Sequence, residues 1–313
     1  MKGGIIIGLL VLVFVLAFMR RVPQPPKESF VAAAAAGVGA SKPTLWWVVD
    51  TDSNARRWLD FSARNSKLPN RGYLQVALQA VQRTQGSHFR IVTLIGRDEI
   101  LAHIPTATPN AKQLPPDLFR AYVMAQLLET HGGLVMDGNS TLCIGPSINQ
   151  YVQKVPAAMF GVNPDEPVVS PATTVAPGPA PYAGWSAEPN HPAWSYAASE
   201  YRALVERGPQ AFSAASARRL PMILWEKQHE LGAVAVRSVD GSRLRSGKLR
   251  TLDDYFGRVS IPADPNQELL PDTVYISYNG DELERSAQYS WFMRMSPEQI
   301  KESSMLWAKY AGY

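Results

Sequence analysis

The chain has 313 residues, of which 46% are hydrophobic and 19% charged, a composition that suits one large globular domain or two small ones. Its formal net charge of +4 is not gathered into a Lys/Arg block, so we expect no nucleic acid partner, since such binding needs clustered positive charge. The single cysteine, Cys143, excludes an intrachain disulfide and a cysteine-based zinc site. The histidines lack the HxxxH spacing of a histidine metal site.

The N-terminus carries an apolar run from Ile5 to Met19 that stops at Arg20 and Arg21. The run is shorter than the ~20 residues that usually cross a bilayer. Arginines directly after it are unlike the small residues of a signal-peptide cleavage site. We therefore expect a retained membrane anchor at residues 1–21, in contact with the membrane through residues 4–19. A cleaved signal peptide is the alternative.

This interpretation makes the chain a single-pass membrane protein. The flank after the apolar run carries more Lys and Arg than the flank before it, which favours the cytoplasmic side for the rest of the chain. A lumenal Golgi or endoplasmic reticulum enzyme would need the opposite orientation, and a viral membrane is a further setting. The side of the membrane stays open.

Residues 22–42 have the composition of a linker, with a Pro-Gln-Pro-Pro run followed by an Ala/Gly/Ser tract. We expect one folded domain over residues 43–313. Its first part alternates apolar strand patterns with helical ones, which predicts an α/β fold: a mixed, mostly parallel sheet flanked by helices. The predicted elements are the strand 44–50, the helix 72–83, the strand 89–95, the helix 117–130 and the strand 134–136.

Three polar residues follow the predicted strands directly. Asp50, Arg97 and Asp137 all lie at the carboxyl ends of strands in this arrangement. Ligands of open parallel sheets bind beyond these ends, so we place the candidate site there.

The second half of the chain is less regular. Residues 163–192 are rich in Pro, Ala and Gly and too long for an ordinary connection, so we expect a surface excursion, with a mobile flap over the site as the alternative. Helices are predicted at 192–207 and 221–231. Ser296 to Gln299 forms a capping box with proline at the first helical position, which predicts a C-terminal helix that continues to about Lys309.

The run from His131 to Asn139 carries the candidate chemistry. Its two glycines predict the end of a helix, its apolar residues a buried strand, and Asp137 stands at the tip. A hard divalent cation takes oxygen ligands, so Asp137 is the candidate metal ligand. The alternative is a turn-forming aspartate in Asp-Gly-Asn-Ser. Asn139 adds a neutral oxygen but no charge.

Several motifs follow one another between Trp46 and Pro146. They are the Trp-bearing strand, Pro69-Asn70-Arg71-Gly72-Tyr73, Phe89-Arg90-Ile91-Val92-Thr93-Leu94, Leu114-Pro115-Pro116, Gly132-Gly133-Leu134-Val135-Met136-Asp137 and Leu142-Cys143-Ile144-Gly145-Pro146. In this order they resemble the glycosyltransferases with a DXD-type sugar-binding region, which include the capsular polysaccharide synthesis proteins and the Och-type mannosyltransferases. The tail Tyr289-Ser290-Trp291-Phe292 also resembles this family.

The resemblance implies a GT-A fold, a nucleotide sugar as donor and Mn²⁺ or Mg²⁺ as cofactor. The acceptor would be a glycan or a glycoprotein. A cation that bridges the two phosphates stabilises the charge that develops on the leaving nucleotide. In this interpretation Asp137 is a catalytic residue and holds the metal together with Asn139.

Five further residues are candidates for donor binding. Trp46 or Trp47 could stack on the nucleobase, although neighbours on a strand face opposite sides and core packing explains either one equally well. Asp50 could bind the ribose or simply end its strand. Ser290 and Trp291 could approach the diphosphate from the C-terminal tail.

The chain departs from the family on the helix before the two glycines. Related enzymes carry there an Asp and, three residues later, an Arg, which contact the donor sugar, but the matching positions are Ala121 and Met124. Asp117 and Arg120 have the same separation one turn earlier, about 6 Å along the helix axis, and are the candidates for this catalytic pair. Either the helix is shifted in register or the pair is lost.

Two functions follow. The first is a membrane-anchored glycosyltransferase, metal-assisted through Asp137. The alternative is a catalytically degenerate protein of the same fold with a structural or binding role at a membrane, for example in a large virus particle. Ala121, Met124 and Asn139 motivate the alternative. A serine hydrolase has no support because the chain lacks a GxSxG motif.

Overall fold

The apolar runs of the first half of the chain form the centre of a sheet, because strands this apolar are buried on both faces. The computed structural model describes residues 42–50, 71–145, 147–160, 182–212, 227–236, 240–242, 244–246, 250–257 and 268–313. These residues belong to one unit, Lys42–Tyr313. The expected anchor at residues 1–21 lies outside the described residues, as does the expected linker up to residue 41. No helix within the described part of the chain is both long and apolar enough to cross a membrane.

Among the described residues, eight strands form two sheets. They are β1 (Thr44–Val49), β2 (Arg90–Ile95), β3 (Gly133–Asp137), β4 (Thr141–Cys143), β5 (Ala157–Phe160), β6 (Ala183–Ser186), β7 (Val234–Val236) and β8 (Tyr275–Ser277). The large sheet has the order β2-β1-β3-β6-β5-β7, and β4 pairs with β8 in a small antiparallel one. Within the large sheet only β6 runs antiparallel to its neighbours among these described strands. The predicted mixed, mostly parallel α/β sheet is therefore confirmed.

Helices cover both faces of the large sheet. They are α1 (Gly72–Gln85), α2 (Arg97–Ala102), α3 (Pro116–His131), α4 (Asn149–Val152), α5 (Pro192–Glu206), α6 (Gln228–Leu231), α7 (Leu252–Phe256), α8 (Gly280–Arg285), α9 (Pro297–Lys301) and α10 (Leu306–Tyr310). Side chains of α3 and α5 form one apolar cluster with Trp46. Side chains of α1, α9 and α10 form another with Trp47. Because successive side chains of a strand point to opposite faces, the two tryptophans of β1 lie in different apolar clusters.

The long elements agree with the sequence patterns. The predicted strands 44–50, 89–95 and 134–136 correspond to β1, β2 and β3, and the predicted helices 72–83, 117–130 and 192–207 to α1, α3 and α5. Each prediction is confirmed within a few residues of its bounds. Of the predicted helix 221–231, the structure describes α6, and residues 221–226 lie outside the described part.

The interpretation of residues 163–192 as a surface excursion was wrong for its last part. Ala183–Ser186 is the buried strand β6, between β3 and β5. Ala183 and Gly184 have low β-propensity, which hid the strand. Gly184 is suited to the position because a Cβ there would come within 2.9 Å of the side chains of Met124, Leu128 and Trp194.

The predicted C-terminal helix begins as expected but is shorter. Ser296 and Gln299 form the capping box. The helix then stops at Lys301, and a separate helix, α10, begins after the extended Met305. Ser303 donates its hydroxyl to the Ile300 carbonyl at 2.6 Å, a local bond that competes with helical hydrogen bonding.

Candidate functional site

The turn from α3 into β3 positions the candidate site. Gly132 and Gly133 have φ angles of +64° and +90°, in the region that favours glycine. A Cβ on Gly133 would also lie 2.4 Å from the carbonyl oxygen of Thr44. The two glycines therefore reverse the chain tightly, and β3 enters the sheet directly beside β1. Asp137 ends β3 at its carboxyl edge.

This tight reversal brings Arg120 level with Asp137. From Arg120 to the end of α3 the helix covers about 16 Å at 1.5 Å per residue. From Gly133 to Asp137 the strand returns about 13 Å. Arg120 Nε accordingly lies 3.1 Å from Asp137 Oδ2. Asp117 and Arg120, which the sequence predicts as a catalytic pair, thus lie at the end of β3.

The two positions that the resemblance implies for this pair lie deeper. Ala121 and Met124 are buried in the core cluster shared by α3 and α5. The sulfur of Met124 packs on the backbone of Gly184 in β6. These two positions contribute to the apolar core, so no polar donor contact could be made from them in this fold.

Four carboxylates surround the guanidinium of Arg120. Its Nη1 and Nη2 donate to the two oxygens of Asp281 at 3.0 and 2.7 Å. Nη2 also donates to Asp117 at 2.5 Å. Besides the contact of Nε with Asp137, Nη1 lies 3.9 Å from Asp50 Oδ2. The guanidinium side chain is 11% exposed, so this charge is largely removed from water.

A second arginine supports the cluster from the end of β2. Arg97 Nη2 lies 3.5 Å from Asp50 Oδ2. Its Nη1 donates to the carbonyl oxygens of Lys112 and Leu114, and its guanidinium lies over the ring of Phe119. The structure therefore brings together the strand-end residues Asp50, Arg97 and Asp137 that the alternating pattern placed at one edge. We call Asp50, Arg97, Asp117, Arg120, Asp137 and Asp281 the strand-end cluster.

Sequence reasoning missed Asp281. It lies in α8, whose capping residue Asn279 follows β8, and β8 pairs with β4 immediately after the Asp137 turn. Gly280 allows this close approach, because a Cβ there would lie 2.4 Å from the carbonyl oxygen of Asn139. The only local indication was the capping sequence Asn-Gly-Asp-Glu, which marks a helix start and not a partner.

Burial sets the protonation behaviour of the cluster. It raises the pKa of Asp137 to about 7, against the opposing attraction of Arg120. Burial also raises the pKa of Asp50. The pKa of Asp281 is held below its usual value because hydrogen bonds and attraction from Arg120 outweigh its burial. Burial disfavours the charged form of Arg120, but Asp137, Asp281 and Asp50 together raise its pKa well above the usual value.

The expected metal ligands are engaged with protein groups. Asp137 Oδ1 accepts the backbone N–H of Asn139 at 2.9 Å. Asp137 Oδ2 is buried next to Arg120 Nε, yet receives no aligned hydrogen bond from the described residues. Asn139 is 1% exposed, and its Oδ1 accepts the backbone N–H of Asp50 at 3.0 Å.

A divalent cation does not fit this donor set. Mn²⁺ and Mg²⁺ need several oxygen ligands that converge with no competing cation between them. Here a guanidinium stands between the carboxylates. Among the described residues no group of three or more His, Cys, Asp or Glu side chains is arranged to hold a metal ion.

The two candidate nucleobase platforms are packed inside. Trp47 is fully buried and its ring lies against the backbone of Gly138. Trp46 is 7% exposed and donates its ring N–H to the carbonyl oxygen of Gly132. Neither ring presents an open face for stacking in this arrangement, which favours the core-packing interpretation.

The C-terminal candidates lie in a separate segment after α8. Ser290 is half-buried, and its N–H donates to the Ala287 carbonyl. Trp291 is 47% exposed, and its ring meets Phe292 edge-on. The described contacts of both are with their own segment, so a role at the diphosphate stays a prediction.

Comparison with known proteins does not assign this chain to a family. No family model matches it, and neither a curated protein nor a solved structure matches it.

Proposed function

We propose that the chain is a membrane-anchored glycosyltransferase of the GT-A type, which moves a sugar from a nucleotide sugar to a glycan or glycoprotein acceptor. The strand-end cluster would be its donor site. The large sheet, with five strands in one direction and β6 reversed, is compatible with a GT-A fold.

One observation carries the proposal: the contact between Arg120 and Asp137. The sequence alone left open whether the Asp-x-x-Arg pair of α3 was displaced or lost. The 3.1 Å contact places this pair beside the strand end that the resemblance implies for a donor site. The contact therefore supports the interpretation that the pair is displaced along the helix and not lost.

The roles follow from exposure. Asp117 is 61% exposed and forms the open side of the cluster, where its carboxylate can accept hydrogen bonds from sugar hydroxyls. Arg120 lies behind it and holds Asp117 in place through Nη2. The buried Asp137 and Asp50 would set the charge of the site rather than contact the donor first.

A second function is favoured by the internal pairing of the cluster. Asp281 and Asp117 accept hydrogen bonds from Arg120, and Asp137 is in ionic contact with it. The side-chain oxygen of Asn139 accepts the backbone N–H of Asp50. A cluster satisfied in this way also suits a catalytically degenerate protein that uses the fold as a scaffold at a membrane.

Donor turnover separates the two functions. The full-length chain in detergent is incubated with UDP- and GDP-sugars, with and without Mn²⁺, and nucleotide release is followed. The transferase proposal expects release that is lost in Asp137→Asn and reduced in Asp117→Asn. Absence of binding to any donor at millimolar concentration would refute it and leave the scaffold function.

A substitution in a different ion pair of α3 is the matched control. Arg202 binds Glu129 near the opposite end of this helix, far along the axis from Arg120. Glu129→Gln removes a half-buried carboxylate from the same helix without touching the cluster. It should leave nucleotide release at the wild-type rate.

A further inference from the structure

Arg120 occupies the centre of an acidic site. Asp50, Asp137 and Asp281 reach one guanidinium from the ends of β1 and β3 and from α8, and their side chains are 6%, 4% and 19% exposed. Their oxygens all contact the same planar group, which stands between them. With Asp117 included, four carboxylates face the two cations Arg97 and Arg120.

We infer that Arg120 is the resident cation of this site and excludes divalent cations from the position between Asp50, Asp137 and Asp281. The inference rests on the proposed function in one respect. If the strand-end cluster is a donor site, donor binding does not require Mn²⁺ while Arg120 is in place. The ligand class that Arg120 excludes is a hard divalent cation.

Charge supports the inference. If Arg120 were neutral, the four carboxylates of the cluster would face only the single charge of Arg97. Buried carboxylates without a partner are strongly unfavourable, so they either take up a proton or bind a compensating cation. Oxygen ligands of this type are those that Mn²⁺ and Mg²⁺ prefer.

The unpartnered oxygen of Asp137 is an independent indication. Asp137 Oδ2 is buried, faces Arg120 and receives no aligned hydrogen bond from the described residues. A structural ion pair normally satisfies such an oxygen with a well-directed donor. Here Arg120 meets the oxygen as an ionic contact and not as an aligned hydrogen bond, so a cation of another shape could replace the guanidinium at this point.

The experiment compares Mn²⁺ binding to full-length wild-type protein and to Arg120→Gln. Isothermal titration calorimetry and electron paramagnetic resonance of free Mn²⁺ are recorded with Mn²⁺ alone, at about pH 8, well above the usual pKa of an aspartate. Arg120→Gln keeps a polar side chain at the position and removes its charge. We expect the variant to bind Mn²⁺ at least about tenfold more tightly than wild type.

Two variants control for charge and for general effects. Arg120→Lys keeps a cation in the cluster and should bind Mn²⁺ as weakly as wild type. Arg202→Gln removes an arginine from a different ion pair, the one with Glu129 of α3, and should not gain Mn²⁺ affinity. The double variant Arg120→Gln/Asp137→Asn should lose most of the gain. Equal Mn²⁺ affinity of wild type and Arg120→Gln, or a gain in Arg120→Lys as large as in Arg120→Gln, overturns the inference.

Folding is part of the same test. Uncompensated carboxylates could prevent Arg120→Gln from folding without metal, and in that case refolding with Mn²⁺ should restore the wild-type circular dichroism spectrum and a cooperative melt. Failure of Mn²⁺ to restore folding also overturns the inference. The Mn²⁺ titration uses no sugar nucleotide, so it is independent of donor turnover. If Arg120→Gln gains Mn²⁺ affinity but the wild-type protein turns over no donor, only the transferase proposal is refuted.

Discussion

Asp281 and Arg120 form a bidentate ion pair across 161 residues of sequence. The pair joins α8 of the C-terminal part to α3 of the first half, at the point where β3 ends. It therefore connects the segment after the small sheet to the strand-end cluster, and it holds the guanidinium in the orientation that turns Nε towards Asp137.

Removing this pair should destabilise the fold. Asp281→Asn keeps the shape but loses the charge-assisted hydrogen bonds, and we expect the free energy of unfolding to fall by about 1–3 kcal/mol. Urea unfolding measures the change. The control is Asp98→Asn, which breaks an exposed pair with Lys112 and should cost less than about 0.5 kcal/mol. Equal effects of the two substitutions would contradict the importance of the buried pair.

The stability of the protein should depend on pH through Asp137. Its pKa is about 7 in the folded protein, because of burial, and near the usual 3.8 in the unfolded chain. The folded state then binds the proton more tightly, so this group makes the free energy of unfolding fall as pH rises from about 4 to about 7.

Asp137→Asn isolates this contribution, since it removes the titration and leaves the other groups. The stability of wild type relative to the variant should decrease by about 1–4 kcal/mol between the two pH values, because a tenfold difference in proton affinity between the folded and unfolded states corresponds to about 1.4 kcal/mol. Urea unfolding of both proteins at several pH values gives the difference. A wild-type advantage that grows with pH would show that the pKa of Asp137 is depressed and not raised.

The reversal between α3 and β3 should tolerate no side chain. In Gly133→Ala the Cβ would meet the Thr44 carbonyl oxygen at 2.4 Å, and the residue would keep its positive φ. We expect a loss of more than about 3 kcal/mol, because both strain and a backbone collision act.

Gly232→Ala is the matched control for that substitution. Gly232 also has a positive φ, of +68°, but its Cβ would come no closer than 3.9 Å to the ring of His191. Only the conformational cost, about 1–2 kcal/mol, should appear there. Thermal and urea unfolding measure both variants, and similar losses would mean that the collision at Gly133 is relieved.

Placing an Asp and an Arg at the two positions that the resemblance implies should not create a donor site. The double substitution Ala121→Asp/Met124→Arg places charges in the apolar core between α3, β6 and α5. We expect a loss of several kcal/mol and no gain in nucleotide-sugar binding, because buried unpaired charges are costly. A folded double variant with improved donor affinity would show that the helix register is set differently.

The sequence by itself determined the local elements and their order. Apolar runs long enough for buried strands, helical periodicity in α1, α3 and α5, and the Ser296 capping box depend on near neighbours, so they are readable without the fold. The two glycines after α3 likewise predicted a helix end followed by a strand. These patterns were sufficient for the α/β class and for the edge of the sheet at which Asp50, Arg97 and Asp137 meet.

Only the tertiary structure decided which charges share the site. Strand β6 was not recognised because packing against Met124, Leu128 and Trp194, and not β-propensity, holds it in place. Whether Arg120 reaches Asp137 depends on the different rise per residue of a helix and a strand on the two sides of a tight turn. The pairing of Arg120 with Asp281 depends on the contact between β4 and β8, which are far apart in the chain. Such relationships arise from the packing of whole elements, and no local pattern of residues specifies them.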